Sequence, residues 1–555
     1  MCRAAVCILS LLVGGAPRVA RAQSALPALS PESLRVRLFA LAADSMGGRQ
    51  TGEVGDWKAQ EWIAAGFRAA GLTPAGEEGT YFQGIPFQRV FADTATHLRS
   101  GPVAFALGRD VLPLGQPVSW SLDGVRPVFA GWVDRPSSWV DTVAAAGRLL
   151  VFAAGDSLRD LRSLGALLAH VRQAPIYRVC AGVAIVALER IAPDLIPQIL
   201  AGRITADTVI PATPGFRPLV LATLTAARAI LGVDPATAAT GVLGGPLAGG
   251  LRFARAPLAY PARNVIAVLP GGDPALRGEY VAISAHHDHV GFASRPVDHD
   301  STYAYNRVVR PMGADSPMRL ATPVEAARIA AIRDSLRRAR PSRPDSVFNG
   351  ADDDGSGTVA LIAIAQTLSA GGGARPRRSI LFVSHAAEER GLLGSAWFTD
   401  HPTVARDSIV AEMDMDMIGR GDATDLPKGG PGYLEVVGVR RLSREFGDLL
   451  ERVNAGQRAP FTFNYEYDAP GHPLQYYCRA DHYSYARYGI PSVSLSRGEH
   501  ADYHQVTDEP QYIDYQALAR VATLVWDFAR VVADLDHRPA LEGPRPTNPQ
   551  VPCRQ

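Results

Sequence analysis

The sequence predicts an α/β protein: a mixed, largely parallel sheet sandwiched by helices, with a smaller β-rich α/β domain inserted into it. Three observations lead there. From Arg263 onward, short β-type runs alternate with helical stretches, the pattern of a sheet with helices on its faces. Between about Gly101 and Gly249 the charges thin out, and β-type runs alternate with Ala/Leu-rich pieces. The chain has 555 residues, enough for several domains at roughly 150 residues each.

Taken in order, Arg3 precedes the apolar run AAVCILSLLVGGA, and Ala20-Arg21-Ala22 forms a small-x-small cleavage pattern. Residues 1–22 therefore read as a signal peptide, placing the mature protein outside the cell or in the periplasm. The run is shorter than the roughly 20 residues a membrane helix needs. Residues 23–100 open with a helical pattern from Glu32 to Ala43, a turn MGGRQTGEVG, and a helix WKAQEWIAAGFRAAG ending at Gly71. YFQGIPFQRV (Tyr81 to Val90) alternates as one strand. Residues 101–250 form the inserted domain, with strands in RPVFAGWV, RLLVFAAG, GVAIVAL and PLVLATLT, and GVLGGPLAGG marks its far boundary.

In residues 251–538, NVIAVLPG, YVAISAH, RSILFVSHA and SIVAEMDMDM read as strands, and SGTVALIAIAQTLSA as a helix. Helices RRLSREFGDLLERVNAG and DYQALARVATLVWDFARVVADL follow. The excursion 289–348 interrupts this region. It is long enough to act as a lid or channel wall. Its basic run RDSLRRARPSR (Arg333 to Arg343) reads as a solvated helix face. The Pro-rich tail 539–555 reads as disordered or as a surface strap.

Hydrophobic content of 47%, charged content of 20% and net charge +1 are ordinary for a soluble globular protein, and the charge makes no case for nucleic acid or an acidic membrane surface. No later stretch is long and apolar enough to span a bilayer. Three cysteines remain after cleavage: Cys180, Cys478 and Cys553. One bridge can form, without a choice of pair, and Cys478 reads as a small buried hydrophobe.

The chemistry sits in five short stretches: AHHDH around His286, NGADDDGSG around Asp353, HAAEERGLLGS around Glu388 and Glu389, DMDMIGR around Asp416, and DYHQVTDEP around His504. Their two histidines and three or more carboxylates, all nitrogen and oxygen donors, suit a pair of hydrolytic zinc ions. In open α/β sheets, ligands gather at the carboxyl ends of strands. His286, the glutamates, Asp416 and His504 all follow predicted strands, so one rim receives them. In an extended segment Glu388 and Glu389 point to opposite sides, one for metal and one for water. The same alternation sends His287 away from His286, and leaves His289 either lining the pocket or supporting the loop. Asp352 and Asp354 hold the loop around Asp353; His385 is structural; His500 and Asp502 are not ligands.

These motifs resemble the dinuclear zinc aminopeptidase family, which includes aminopeptidase Y, bacterial leucyl aminopeptidases and glutamate carboxypeptidase. The resemblance covers roughly Arg263 to Leu535. GGRQTG is similar to the family's larger secreted members, and residues 101–250 to their protease-associated domain. The resemblance implies a zinc-exopeptidase fold and two Zn2+ per chain. His286 and Asp416 would bind one ion, Glu389 and His504 the other, and Asp353 would bridge them. Glu388 would be the general base. Asp288 would fix the His286 tautomer, Tyr477 would help hold the oxyanion, and Asp481 and His482 would support the pocket. The implied activity is an exported aminopeptidase acting on peptides or small proteins. A carboxypeptidase, a glutaminyl cyclase-like enzyme or a non-catalytic binding ectodomain are the alternatives. The full ligand set argues against the last two. The chain departs from the family in its 289–348 insertion and in Asp414, where many members have Asn. Side-chain preference, native metal and oligomeric state stay open at this point.

Overall fold

Nine strands among the described residues hydrogen-bond into one central sheet. They are β1 (Thr73–Pro74), β2 (Phe82–Gly84), β3 (Arg263–Leu269), β4 (Tyr280–His286), β5 (Ser379–His385), β6 (Ile409–Met415), β7 (Tyr433–Val437), β8 (Thr462–Asn464) and β9 (Ser492–Ser496). The spatial order is β1-β3-β5-β4-β6-β9-β7-β8, with β2 beside β3. The central four, β5-β4-β6-β9, run parallel, while β3 and β7 pair antiparallel on either side. The structure is a computed structural model that describes residues 28–114, 119–158, 161–193, 195–205, 217–370, 375–543, 549 and 553–555. The predicted signal peptide lies outside them.

Both faces of the sheet are covered. In β5, Ile380 and Phe382 pack into one apolar layer while Leu381 and Val383 pack into the other. This explains why the strand runs read as continuously apolar rather than alternating. Outside residues 101–250, the described helices of eight residues or more are α1 (Pro31–Leu41), α2 (Val54–Ala69), α3 (His299–Val309), α4 (Pro323–Ala339), α5 (Gly357–Ala370), α6 (Leu393–Asp400), α7 (Arg444–Ala455) and α8 (Tyr515–Ala533). Helix α5 is buried at every position from Gly357 to Ala365 and packs against α1, α2, α8 and β4. Helix α6 and the short helix His482–Ala486 lie on the opposite face. Helix α7 starts at Arg444, later than its charged run suggests, because the Ser443 side chain accepts the Phe446 N–H and caps it there.

The segment Tyr81–Val90 departs from the single expected strand. It splits at Ile85-Pro86-Phe87: Phe82–Gly84 pairs with β3, and Gln88–Ala92 pairs with Phe253–Pro257 and Arg203–Thr205 in another sheet. Proline has no N–H for a ladder, so the chain leaves one sheet there and enters the next. Between these crossings, strands Val111–Leu114, Pro127–Trp132, Leu149–Ala153, Gly182–Val186 and Leu219–Ala222 build a five-stranded sheet with apolar clusters on its two faces.

The 289–348 excursion is folded. Phe292–Asp298 pairs with Pro344–Val347, and α3 and α4 stand between them. Its basic run is only partly a solvated face, since Arg337 pairs with Asp298, Arg340 with Asp300, and Arg343 with Glu509. Cys478 is not a lone hydrophobe but is bonded to Cys553. The end of the tail is thereby a strap: Gln555 accepts the Tyr477 N–H and donates to the carbonyls of Tyr467 and Ala469.

The MGGRQTG turn holds the rim together. Arg49 is fully buried and donates to the carbonyls of Asn349 (2.6 Å), Gly350 (2.7 Å) and His287 (2.7 Å). One side chain thus ties two ligand-bearing loops. Gly48 lies at φ +61°, and a Cβ there would sit 2.2 Å from the Gly291 carbonyl oxygen, so glycine is required. Arg49→Ala leaves three buried carbonyls without their donor and is expected to cost about 3 kcal/mol or more in urea unfolding. A loss under about 1 kcal/mol would refute the clamp.

Candidate metal centre

The four parallel strands deliver their carboxyl ends to one rim. His286 is the last residue of β4, Asp416 follows β6 directly, and Glu388 and Glu389 lie three and four residues past β5. His504 comes from the loop after β9, and Asp353 from the turn that leads into α5. The glutamates do not sit in an extended segment. Ala387 takes φ +58° and opens a 3₁₀ turn, Glu388–Arg390, so the turn rather than strand alternation separates them.

Two sets of donor atoms result, each within 4.8 Å of one another: His286, Asp353 and Asp416, and His289, Asp353, Glu389 and His504. Asp353 belongs to both. Its Oδ1 lies 3.2 Å from His286 Nε2, and its Oδ2 lies 2.9 Å from His504 Nε2. His286 Nε2 is 3.7 Å from Asp416 Oδ1. Glu389 offers Oε2 to His504 Nε2 at 2.9 Å and Oε1 to His289 Nδ1 at 2.8 Å. Glu388 Oε2 stands 4.0 Å from His286 Nε2, at the edge of the first set.

Residues 264–529 match the model of peptidase family M28. The matched region is a peptidase family M28 domain. It is 31% identical over 216 residues to leucine aminopeptidase 1 of Coccidioides posadasii (strain C735), covering 37% of this chain and 52% of that protein. It is 29% identical over 173 residues to leupeptin-inactivating enzyme 1 of Streptomyces exfoliatus, covering 31% and 34%. The chain thus spans about half the length, or less, of these curated relatives. Among solved structures, it is similar to the zinc aminopeptidase BSAP of Bacillus subtilis, with 16% identity, TM-score 0.46 and coverage of 91% and 94%. It is also similar to the aminopeptidase of Aneurinibacillus sp. strain AM-1, with 15% identity, TM-score 0.46 and coverage of 93% and 96%.

Around the M28 donor sets, a second layer of carboxylates holds backbone. Asp288 sits beside His286 Nδ1 through its main-chain carbonyl at 3.1 Å and Oδ1 at 3.7 Å. The same Oδ1 accepts the Glu388 N–H, and Oδ2 accepts the Thr51 hydroxyl. Asp354 accepts N–H groups of His286, Gly357 and Met417. Asp352 accepts the Gly419 N–H and faces His500, while Asp508 accepts the N–H groups of Asp352 and Asp353. His287 turns to Ser384 and Asp56. His385 meets the Tyr485 hydroxyl, and burial pushes it down to about 3.

The structure turns Tyr477 away from the donor sets. Its ring packs on His482 and Tyr483 with Arg441 above it, because the 3₁₀ turn Tyr476–Cys478 presents successive residues to different sides. Tyr476 and Tyr503 line the cavity that holds Asp353, Glu388 and Asp416. Sequence reasoning missed Tyr503, although its place directly before His504 was a usable signal. It also left His289 undecided. Strand geometry ends at His286, and the His289 N–H bonds to the Arg49 carbonyl, which brings the imidazole onto Glu389. A third grouping, His299 with Asp345 and Glu509, already has Arg343 beside both carboxylates.

The donor chemistry fits divalent metal. His286 Nε2, His289 Nδ1 and Nε2, Asp353 Oδ2, Glu389 Oε1 and Asp416 Oδ1 are buried without hydrogen-bond partners, an arrangement that is costly unless a cation collects them. Burial, with Glu389, Asp416 and Asp481 nearby, pushes the Glu388 carboxyl well above the carboxylate range despite His286. Burial opposes charge on His504, yet Asp353 and Glu389 raise it to about 11. Because metal binds the folded donor set and not the unfolded chain, Zn2+ added to chelator-treated protein is expected to raise Tm by several degrees. A Tm indifferent to Zn2+ would remove the metal reading.

Proposed function

We propose that the chain is an exported dinuclear zinc aminopeptidase that removes N-terminal residues from peptides. The observation that carries this is the orientation of Asp353, which offers one carboxylate oxygen to each histidine-bearing donor set. His286 and Asp416 would hold one ion, and Glu389 and His504 the other, with His289 beside them. Two zinc ions bound there would lower the pKa of a shared water and polarise the scissile carbonyl.

The chain's own groups supply the rest. Glu388 takes the proton of the attacking water and passes it to the leaving amine. Its backbone N–H is held by Asp288, which also steadies His286, so base and ligand share one anchor. Tyr503, next to His504 on the cavity wall, is placed to donate its hydroxyl to the developing oxyanion. The insertion braces two residues that line this cavity: Asp315 pairs with Arg479 at 2.7 Å, and the Ala314 N–H bonds the Tyr503 carbonyl. Among the described residues no helix is long and apolar enough to cross a membrane, and the Cys478–Cys553 disulfide accords with an oxidising compartment.

Glu388→Gln is expected to retain bound zinc while kcat falls roughly 10²- to 10⁴-fold. Asp353→Asn is expected to lower zinc content at both positions, read by elemental analysis. Parent-rate hydrolysis by Glu388→Gln would exclude it as the base. Equal rates on free-amine peptides and their N-acetylated counterparts would exclude an aminopeptidase.

A further inference from the structure

The cavity that contains Glu388 and Asp416 is also lined by Met417, Val437 and two further carboxylates, Glu435 and Glu499. Neither has a part in the metal centre. Glu435 is the third residue of β7, and Glu499 follows β9, its antiparallel neighbour. Both line this one cavity, and a Cβ on Gly498, the residue before Glu499, would lie 2.7 Å from Glu435 Oε1. Both are more than nine-tenths buried, at 2% and 6% exposure.

Their partners are incomplete. Glu435 Oε1 accepts the Tyr433 hydroxyl. Glu499 Oε1 lies 3.4 Å from the Arg479 guanidinium, but Arg479 also pairs with Asp315 and donates toward the Tyr503 hydroxyl. Tyr476 lines the same space and its side chain also interacts with Glu499. Even so, Glu499 Oε2 is buried with no hydrogen bond. The wall therefore carries two carboxylates against one arginine that Asp315 already neutralises. A buried acceptor of this kind is costly unless the occupant brings a donor, and a cation serves best. Burial holds both carboxyls above their usual range, Glu435 at about 7 and Glu499 at about 8, as expected of acids short of positive charge.

We propose that this cavity is the subsite for the side chain of the residue whose carbonyl is cleaved, and that it selects a cationic side chain, lysine or arginine. The methylene stem rests on Met417 and Val437, and the charged head meets Glu499 and Glu435. An aliphatic side chain leaves Glu499 Oε2 without a partner, and an acidic one is repelled. This rests on the aminopeptidase reading above.

The test compares kcat/KM of the zinc-loaded protein on Lys-, Arg-, Leu-, Met- and Glu-p-nitroanilide. Lys and Arg substrates are expected to exceed Leu and Met on the order of tenfold or more, with Glu slowest. In Glu499→Gln the Lys:Leu ratio is expected to fall about tenfold, chiefly through KM, and Glu435→Gln is expected to act in the same direction. Should Glu499→Gln fail to fold, competitive inhibition of the parent by free lysine against free leucine reads the same preference. Hydrolysis of Leu or Met as fast as Lys, an unchanged ratio in the variants, or tighter inhibition by leucine would overturn the subsite while leaving the aminopeptidase reading standing. No hydrolysis of any of these substrates would overturn both.

Discussion

Concentrated negative charge beneath one rim of the sheet is the constraint on which the rest of this structure depends. Asp353, Glu388, Glu389 and Asp416 converge there, with Asp288, Asp354, Asp414 and Asp481 buried close behind them. Buried carboxylates persist only when they are paired, hydrogen-bonded or bound to cations. Asp288 and Asp354 meet that condition by accepting backbone N–H groups, Asp414 accepts the Ser284 hydroxyl, and the inner ones face histidines. The division assigns structural and chemical tasks to residues of one type: an acid that holds a loop is satisfied by the protein, and an acid left over is available to metal.

Holding those acids in place draws on parts of the chain far apart in sequence. Arg49 and Thr51, from the N-terminal turn, reach the loops of His287, Asp288 and Gly350. Asp508 fixes the backbone of Asp353. The insertion grips the loop of His504 through Arg307 with Asp502, Asn306 with Gln505, and His299 with Glu509. The C-terminal strap bonds to the turn that carries Tyr476. The cavity wall beside the metal centre therefore draws on the loop after β9 and that turn, with the insertion bracing both from behind.

Much of this was legible in the residue pattern. The parallel centre followed from β runs alternating with helices, and the rim followed from polar donors placed directly after those runs. Asp352 and Asp354 were readable as loop holders from their place beside Asp353. The failures share a cause. Tyr477, His289 and the Glu388–Glu389 pair all lie in turns, where strand alternation no longer governs direction and one left-handed residue such as Ala387 resets it. Pro86 was visible, but that the two halves of its segment enter different sheets was not. Cys478 and Cys553 are 75 residues apart, and spacing alone selects no pair.

By itself, the sequence determined which donors exist and that regular strands end where they begin, because apolar periodicity and strand length are local properties. Only the tertiary structure decided which oxygen of Asp353 faces which histidine, that His289 joins Glu389, that Tyr503 rather than Tyr477 reaches the cavity, and that one oxygen of Glu499 stands there without a hydrogen bond. Those outcomes depend on distances of a few ångströms between segments up to 300 residues apart, as between Arg49 and Asn349. They are set by packing and by the need to satisfy buried polar groups, and no local pattern encodes either.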